Sequence, residues 1–295
     1  MTPREQGFLL LTSHLGNPDR PVLTKAQLRT LADRMRHCEF PKENRDVTEK
    51  DLYALGFNRE MSRRIVSLFG ETQLLEHYLR KGQQLGCTPI TRVSQAYPLI
   101  LRQRLGLDSP GCLWIKGDRR LLNQPAISLV GSRELREENR KFAQTVGEQA
   151  ALQNLVLVSG NARGADRCAQ EACLAAGGSV ISIVADELKT HPQRDGVLYV
   201  SEEDFDAPFS SQRALSRNRC IHSLGRITFV AQTDLGKGGT WYGATKNLHF
   251  GWSPVICFRD GSEGSRELEQ LGAYLIGTED LQDFSGLSEP QKTIF

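Results

Sequence analysis

Four short segments of this chain carry residue types that hold phosphate oxygens. Gly131-Ser132-Arg133 joins a glycine, a hydroxyl and a guanidinium. Ser159-Gly160-Asn161-Ala162-Arg163-Gly164-Ala165-Asp166 repeats the theme with a second arginine and a nearby acid. Arg217-Asn218-Arg219 brackets an amide with two guanidiniums. Gly236-Lys237-Gly238-Gly239-Thr240 sets a lysine and a hydroxyl among three glycines. Glycine lets backbone approach a ligand, free amides at a helix start favour an anion, and arginine adds a forked, charge-assisted grip. Each segment also has a plain reading, as a strand-to-helix turn bearing a surface cation. Asp166 is then a first-turn acid that stabilises the helix dipole. The lysine loop is neither a Walker A loop, whose Lys-Ser/Thr order it lacks, nor the dinucleotide G-x-G-x-x-G.

These segments matter only if the fold brings them together. Beyond Pro89, apolar runs at 126–130, 155–159, 179–185, 197–201, 226–232, 254–259 and 273–276 read as strands. Helical patterns at 135–153, 165–176, 213–224, 240–250 and 265–271 fall between them. Strands that are nearly all apolar are buried on both faces, and strand–helix alternation builds a parallel sheet. The expected fold class is α/β, a doubly wound, mostly parallel Rossmann-like sheet. Ligands of such sheets bind beyond the carboxyl ends of the strands. The four turns should therefore share one rim, where Arg133, Arg163, Arg217, Arg219 and Lys237 converge. Phe209, Trp241 and Tyr242 are near enough in sequence to stack on bases there, although Trp241 could equally pack its helix onto the core.

Residues 1–88 have a different texture. Leu28, Leu31, Ala32 and Met35 follow helical spacing behind a Thr24 cap, and further helices are expected after Thr48, over 59–68 and over 72–85. The segment from Leu52 through Gly56 to Ile65 fits a helix-hairpin-helix that offers amides to phosphate, and equally an ordinary αα-hairpin. The expected organisation is a small all-α domain over 1–88 (SAM or helix-hairpin-helix-like), a Rossmann-like domain over 89–280 and a tail over 281–295. The 37 Lys and Arg against 35 Asp and Glu leave a net charge of only +2, so any polyanion site must be a local cluster. No run of about 20 apolar residues marks a membrane helix, and no secretory leader is visible, so a cytoplasmic protein is expected. Seven cysteines without C-x-x-C spacing argue against disulfides and zinc.

The ordered motifs resemble the DNA-processing protein A (DprA/Smf) family over about residues 97–276. The resemblance is carried by Tyr97-Pro98-Leu99, by Pro110 to Gly117, and by Val130-Gly131-Ser132-Arg133. It continues through Ser159-Gly160 with Ala162, Gly164 and Asp166, then Ser201-Glu202, then Arg217-Asn218-Arg219 with Ile221 and Leu224, and ends at Gly272-Ala273. It implies an extended Rossmann domain that binds single-stranded DNA at Arg133 and Arg217–Arg219, forms a homodimer, and helps to load a RecA-type recombinase. No cofactor, metal or catalytic residue is implied, and no winged-helix segment like that of some members is expected after residue 276. Gln170 stands where the family usually has His, and Ala185-Asp186 and Arg259-Asp260 replace its usual glycine-bearing segments. The lysine loop departs too, and looks as much like nucleotide-binding relatives of the fold. The alternative is thus a nucleotide sensor or nucleotide-processing enzyme using the same loops. Such an enzyme needs an acid, yet Trp241, Tyr242, Gly243 and Ala244 follow the loop. Glu202 is the only candidate near the mouth, and like Asp166 it also reads as a supporting acid.

Overall fold

The computed structural model describes residues 1–37 and 46–287. Reciprocal caps open the first helices. Thr2, Thr24 and Thr48 each accept the amide three residues on, and Glu5, Gln27 and Asp51 return the bond, starting α1 (Pro3–Thr12), α2 (Lys25–Arg36) and α3 (Glu49–Ala54). Asn58 caps α4 (Arg59–Gly70), and α5 (Thr72–Gln84) ends just before Gly86 at φ +74°. The hairpin expected around Gly56 is present, with Gly56 at φ +80° and Leu52 and Ile65 buried beneath it. α1 lies outside the sequence expectation. Leu9, Leu10 and Leu11 are consecutive and all buried, which hides the helical period. Cys38 lies outside the described residues. The other six cysteines are free thiols.

A nine-stranded sheet follows, in the order β1-β2-β6-β5-β4-β3-β7-β8-β9. Its strands are β1 (Thr88–Thr91), β2 (Cys112–Lys116), β3 (Ala126–Val130), β4 (Val156–Ser159), β5 (Ser179–Ile183), β6 (Val197–Ser201), β7 (Thr228–Val230), β8 (Val255–Phe258) and β9 (Tyr274–Ile276). All neighbours from β6 across to β9 run parallel, whereas β1 pairs antiparallel with β2, and β2 with β6. These two antiparallel strands are additions to the expected sheet. β1 contains Pro89, which fits an edge strand and weakens its strand signal.

Period-two alternation splits the apolar strand residues between two cores. Val130, Val158, Ile181, Ile183 and Val200 face α6 (Leu99–Leu105), α10 (Asn218–Leu224) and α11 (Gly238–Phe250). Ile127, Leu129, Leu157 and Phe229 face α7 (Glu137–Leu152) and α8 (Ala165–Ala175). Two further helices complete the set, α9 (Ser211–Ser216) and α12 (Glu263–Gln270). The chain lays β4, β5 and β6 on one side of β3, then returns to place β7 on the other, so the gap above β3 and β7 is the topological switch point.

Two expected boundaries are crossed by packing. Leu9, Leu10, Leu75 and Tyr78 of the helical region share a core with Trp114, Val197 and Phe205. The ring centroids of Tyr78, Trp114 and Phe205 lie 4.6–5.7 Å apart. The segment expected as a tail from residue 281 is packed as far as it is described: Leu281 and Phe284 are fully buried, and Phe284 meets Phe229 at 4.9 Å. No helix among the described residues is long and apolar enough to cross a membrane.

Candidate nucleic-acid interface

All four loops reach the switch point, the Ser159–Asp166 loop through Ala162 and Asp166. A compartment of about 660 Å³ is lined by Gly131, Ser132 and Arg133 after β3, by Arg217 and Asn218 where α9 gives way to α10, and by Lys237 to Thr240 after β7. A second compartment of about 660 Å³ lies beside it over β4, β5 and β6, and takes in Gly160 and Arg163. Arg133, Ala162, Phe209, Ala214 and Arg217 line both, so they form the wall between the two.

The β3 and β4 loops cross closely, and glycine makes this possible. A Cβ at Gly131 would collide with Ala165, and one at Gly164 (φ +91°) with the Ser132 and Arg133 carbonyls. Ser132 does not cap α7, which begins only at Glu137; its amide and hydroxyl both reach the Gln232 carbonyl, at 3.1 and 3.4 Å. The first turn of α7 carries Glu137 and Glu138. This corrects the expectation that the Gly131 turn offers a helix N-terminus, and its contribution is Arg133 itself. Arg133 is exposed and has no hydrogen bond or ion pair to any described residue.

The Ser159–Asp166 loop is also tied inward. Asp166 accepts the amides of Gly160 and Ala162, each at 3.1 Å, so those donors are already used. Arg163 reaches out to Glu134 at 3.0 Å. Ser159 is fully buried and its hydroxyl accepts from Gln170 Nε2 at 2.5 Å. Arg217 is 7% exposed and lies on Gly160, donating from Nη2 to the Gly160 carbonyl at 2.8 Å. Any Cβ at Gly160 would collide with that guanidinium. Burial pushes the Asp166 carboxyl above the usual range, with Arg217 pulling it back. Burial likewise lowers Arg217, with Asp166 opposing.

The expected single helix over 213–224 is broken at Arg217, which stands between α9 and α10. The break decides the fate of the two arginines. Arg217 enters the shared wall. Arg219 turns away and lines neither compartment; it pairs with Glu202 at 2.5 Å and with the Ser216 carbonyl at 2.9 Å. Glu202, with a side chain 6% exposed, is thereby a supporting group outside the mouth. Asn218 donates to the Gly239 carbonyl at 3.1 Å and so clamps the lysine loop.

That loop is the open cradle. Lys237 occupies the N-cap of α11 without a side-chain cap, leaving the first amides of a 13-residue helix facing the compartment. Lys237 is exposed and unpaired among the described residues. Thr233 was not anticipated here: it is 3% exposed, lines the compartment, and its hydroxyl has no partner. Phe209 is 57% exposed on the shared wall. Trp241 packs against the core instead, and Tyr242 donates to the Gly236 carbonyl at 3.2 Å. Among the described residues no group of three His, Cys, Asp or Glu side chains could hold a metal ion.

A twisted, mostly parallel sheet with a cationic rim at its switch point defines an α/β protein of the Rossmann-like class. Residues 88–285 match the model of the DNA recombination-mediator protein A family, and the chain belongs to that family. Protein Smf of Escherichia coli K12 is 29% identical over 184 residues, covering 57% of this chain and 49% of Smf. DNA processing protein DprA of Streptococcus pneumoniae R6 is 28% identical over 184 residues, covering 59% of this chain and 60% of the relative. The chain thus spans about half to three fifths of the length of these relatives. The crystal structure of DprA from Streptococcus pneumoniae superposes with a TM-score of 0.72 at 23% identity, covering 95% of this chain and 98% of that one. DNA processing protein A from Helicobacter pylori, described for its single-stranded DNA binding mode, gives 0.56 at 24% identity, over 68% and 94%. Both share the fold.

Proposed function

We propose that this chain binds single-stranded DNA at the switch-point rim and serves DNA processing in recombination. The observation that carries the reading is the meeting of Arg133, Arg217, Lys237 and the uncapped α11 amides at one open mouth. Family membership supports a cytoplasmic, non-catalytic protein that protects the strand, acts as a homodimer and hands DNA to a RecA-type recombinase during uptake or recombination. Gly131, Ser132, Ser159, Gly160 and Asp166 shape the walls. Arg163 and Thr240 add contacts at the edge, and Arg219 and Glu202 brace α9 against α10.

Anisotropy of labelled oligo(dT) over a salt series tests this. The logarithm of affinity should fall linearly with that of salt, by about 0.7 per phosphate neutralised. Arg133→Ala with Lys237→Ala, both exposed and unpaired, should weaken binding about tenfold and flatten the slope by about 1.4. Salt-independent binding, or a double variant that binds like the parent, overturns the reading. The nucleotide-enzyme alternative predicts thermal stabilisation by mononucleotides and none by oligo(dT). It is disfavoured by Glu202, whose carboxylate is tied to Arg219 away from the mouth.

A further inference from the structure

The compartment over β4, β5 and β6 adjoins the switch-point cradle, and two of its features set it apart. Two of its loop amides are already used: Gly160 and Ala162 both donate to Asp166. Its added cations are long side chains on exposed positions, Arg167 on α8 and Arg194 before β6. Neither guanidinium has a hydrogen bond or ion pair among the described residues, although the backbone of each is bonded. Its shared wall holds Arg217, which is 7% exposed with an unpartnered Nε.

From this we infer that a bound DNA strand continues out of the switch-point mouth, around the Arg133–Phe209–Arg217 wall, and across this second compartment. The inference rests on the proposed DNA-binding reading and extends the footprint of that site. A preformed amide nest suits one compact phosphate group, and the α11 loop supplies it. Spaced, exposed guanidiniums suit successive phosphates of an extended backbone. The floor supplies apolar surface from Val197 and Ala185, with the His191 ring stacked on Tyr199 at 4.8 Å. The two acids present limit the charge. Asp186 is occupied by His191 at 2.8 Å, and Glu171 is exposed on α8.

The test compares oligo(dT) of about 6 and about 20 nucleotides, lengths chosen around known single-strand site sizes. Arg167→Ala with Arg194→Ala alters only exposed side chains, and an unchanged Tm will show that the fold is intact. The double variant should bind the 6-mer like the parent. On the 20-mer it should lose about tenfold in affinity and about 1.4 of the salt slope. Equal losses on both lengths, or no loss on either, overturn the inference while leaving the DNA-binding reading standing. Thymidine monophosphate binding that disappears in the variant, with 20-mer affinity unchanged, overturns it in favour of a small-nucleotide pocket. Failure of the parent to bind either oligonucleotide overturns both readings.

Discussion

At the residue scale, the pair Arg217 and Arg219 shows how two like side chains acquire different roles. Residues two apart on a helix do not share a face. The backbone break at Arg217 points one guanidinium into the shared wall, and the first turn of α10 carries the other toward Glu202. The motif is plain in the sequence, but the direction of each side chain is not, because it depends on a break that apolar periodicity does not reveal. Arg217→Ala should weaken oligo(dT) binding about tenfold, the loss of one or two charge-assisted contacts. Arg219→Ala should keep affinity within about twofold and lower stability instead. It strands the Glu202 carboxylate, whose side chain is 6% exposed, at a cost of up to roughly 3 kcal/mol. Adding Glu202→Gln should recover part of that loss. Anisotropy and thermal melts on the same preparations check both; an Arg219→Ala protein that melts normally and fails to bind would reverse the assignment.

At the element scale, the site depends on how α10 and α11 lie against each other. His222 on α10 is fully buried, and burial pushes its imidazole down to about 3, so it is neutral. Asn247 Nδ2 donates to His222 Nδ1 at 3.2 Å, which assigns the proton to Nε2, and Nε2 has no partner. Gly243 of α11 faces that nitrogen, and a Cβ there would sit 2.8 Å from it. Gly243→Ala should therefore push α11 outward, costing about 1–3 kcal/mol. It should also displace the Lys237–Thr240 cradle at the start of the same helix. The expected result is a lower Tm together with weaker oligo(dT) binding, read by melting and anisotropy; a full-affinity variant would show that the cradle is insensitive to helix position. The seven strands from β3 to β9 and their helices are legible because each is a short apolar run or an amphipathic stretch bounded by turn residues. The start of α7 is not: Gly131-Ser132-Arg133 looks like a helix entrance, yet Ser132 is taken by Gln232 from β7's loop, a contact no local pattern encodes.

At the scale of the whole molecule, the helical region is stitched to the sheet through carboxylates just beyond β6. Ser13 donates to Asp204 at 2.7 Å, Tyr78 to Asp206 at 2.5 Å, and Lys81 lies 3.2 Å from Asp206. The sequence shows a helical half and an α/β half, but not this seam, because its partners are separated by 191 and 128 residues. Burial raises the Asp204 carboxyl above its usual range, and the like charge of Asp206 adds to the rise. The Ser13 hydrogen bond and the His14 charge oppose it. An acid raised in the folded state binds its proton more tightly there than in the unfolded chain, where it titrates near about 3.9. The linked stability is then greatest at low pH, where the group is neutral in both states. It is lost as pH rises from the unfolded value through the folded one, and above that range the chain carries the full cost of burying the ionised carboxylate. Asp204→Asn keeps an acceptor for Ser13 and removes that ionisation. The variant should melt higher than the parent at pH 8, by roughly 2–4 °C per kcal/mol recovered. The gain should shrink toward zero as pH falls to the unfolded carboxyl's range, about 3.9, because the group is then protonated in the folded parent and increasingly so in the unfolded chain. Because Asp204 lines neither compartment, oligo(dT) affinity at pH 7 should not change. A variant that melts lower than the parent at pH 8 would mean that the ionised carboxylate holds the seam together by charge, and that the coupling between helices and sheet strengthens with pH.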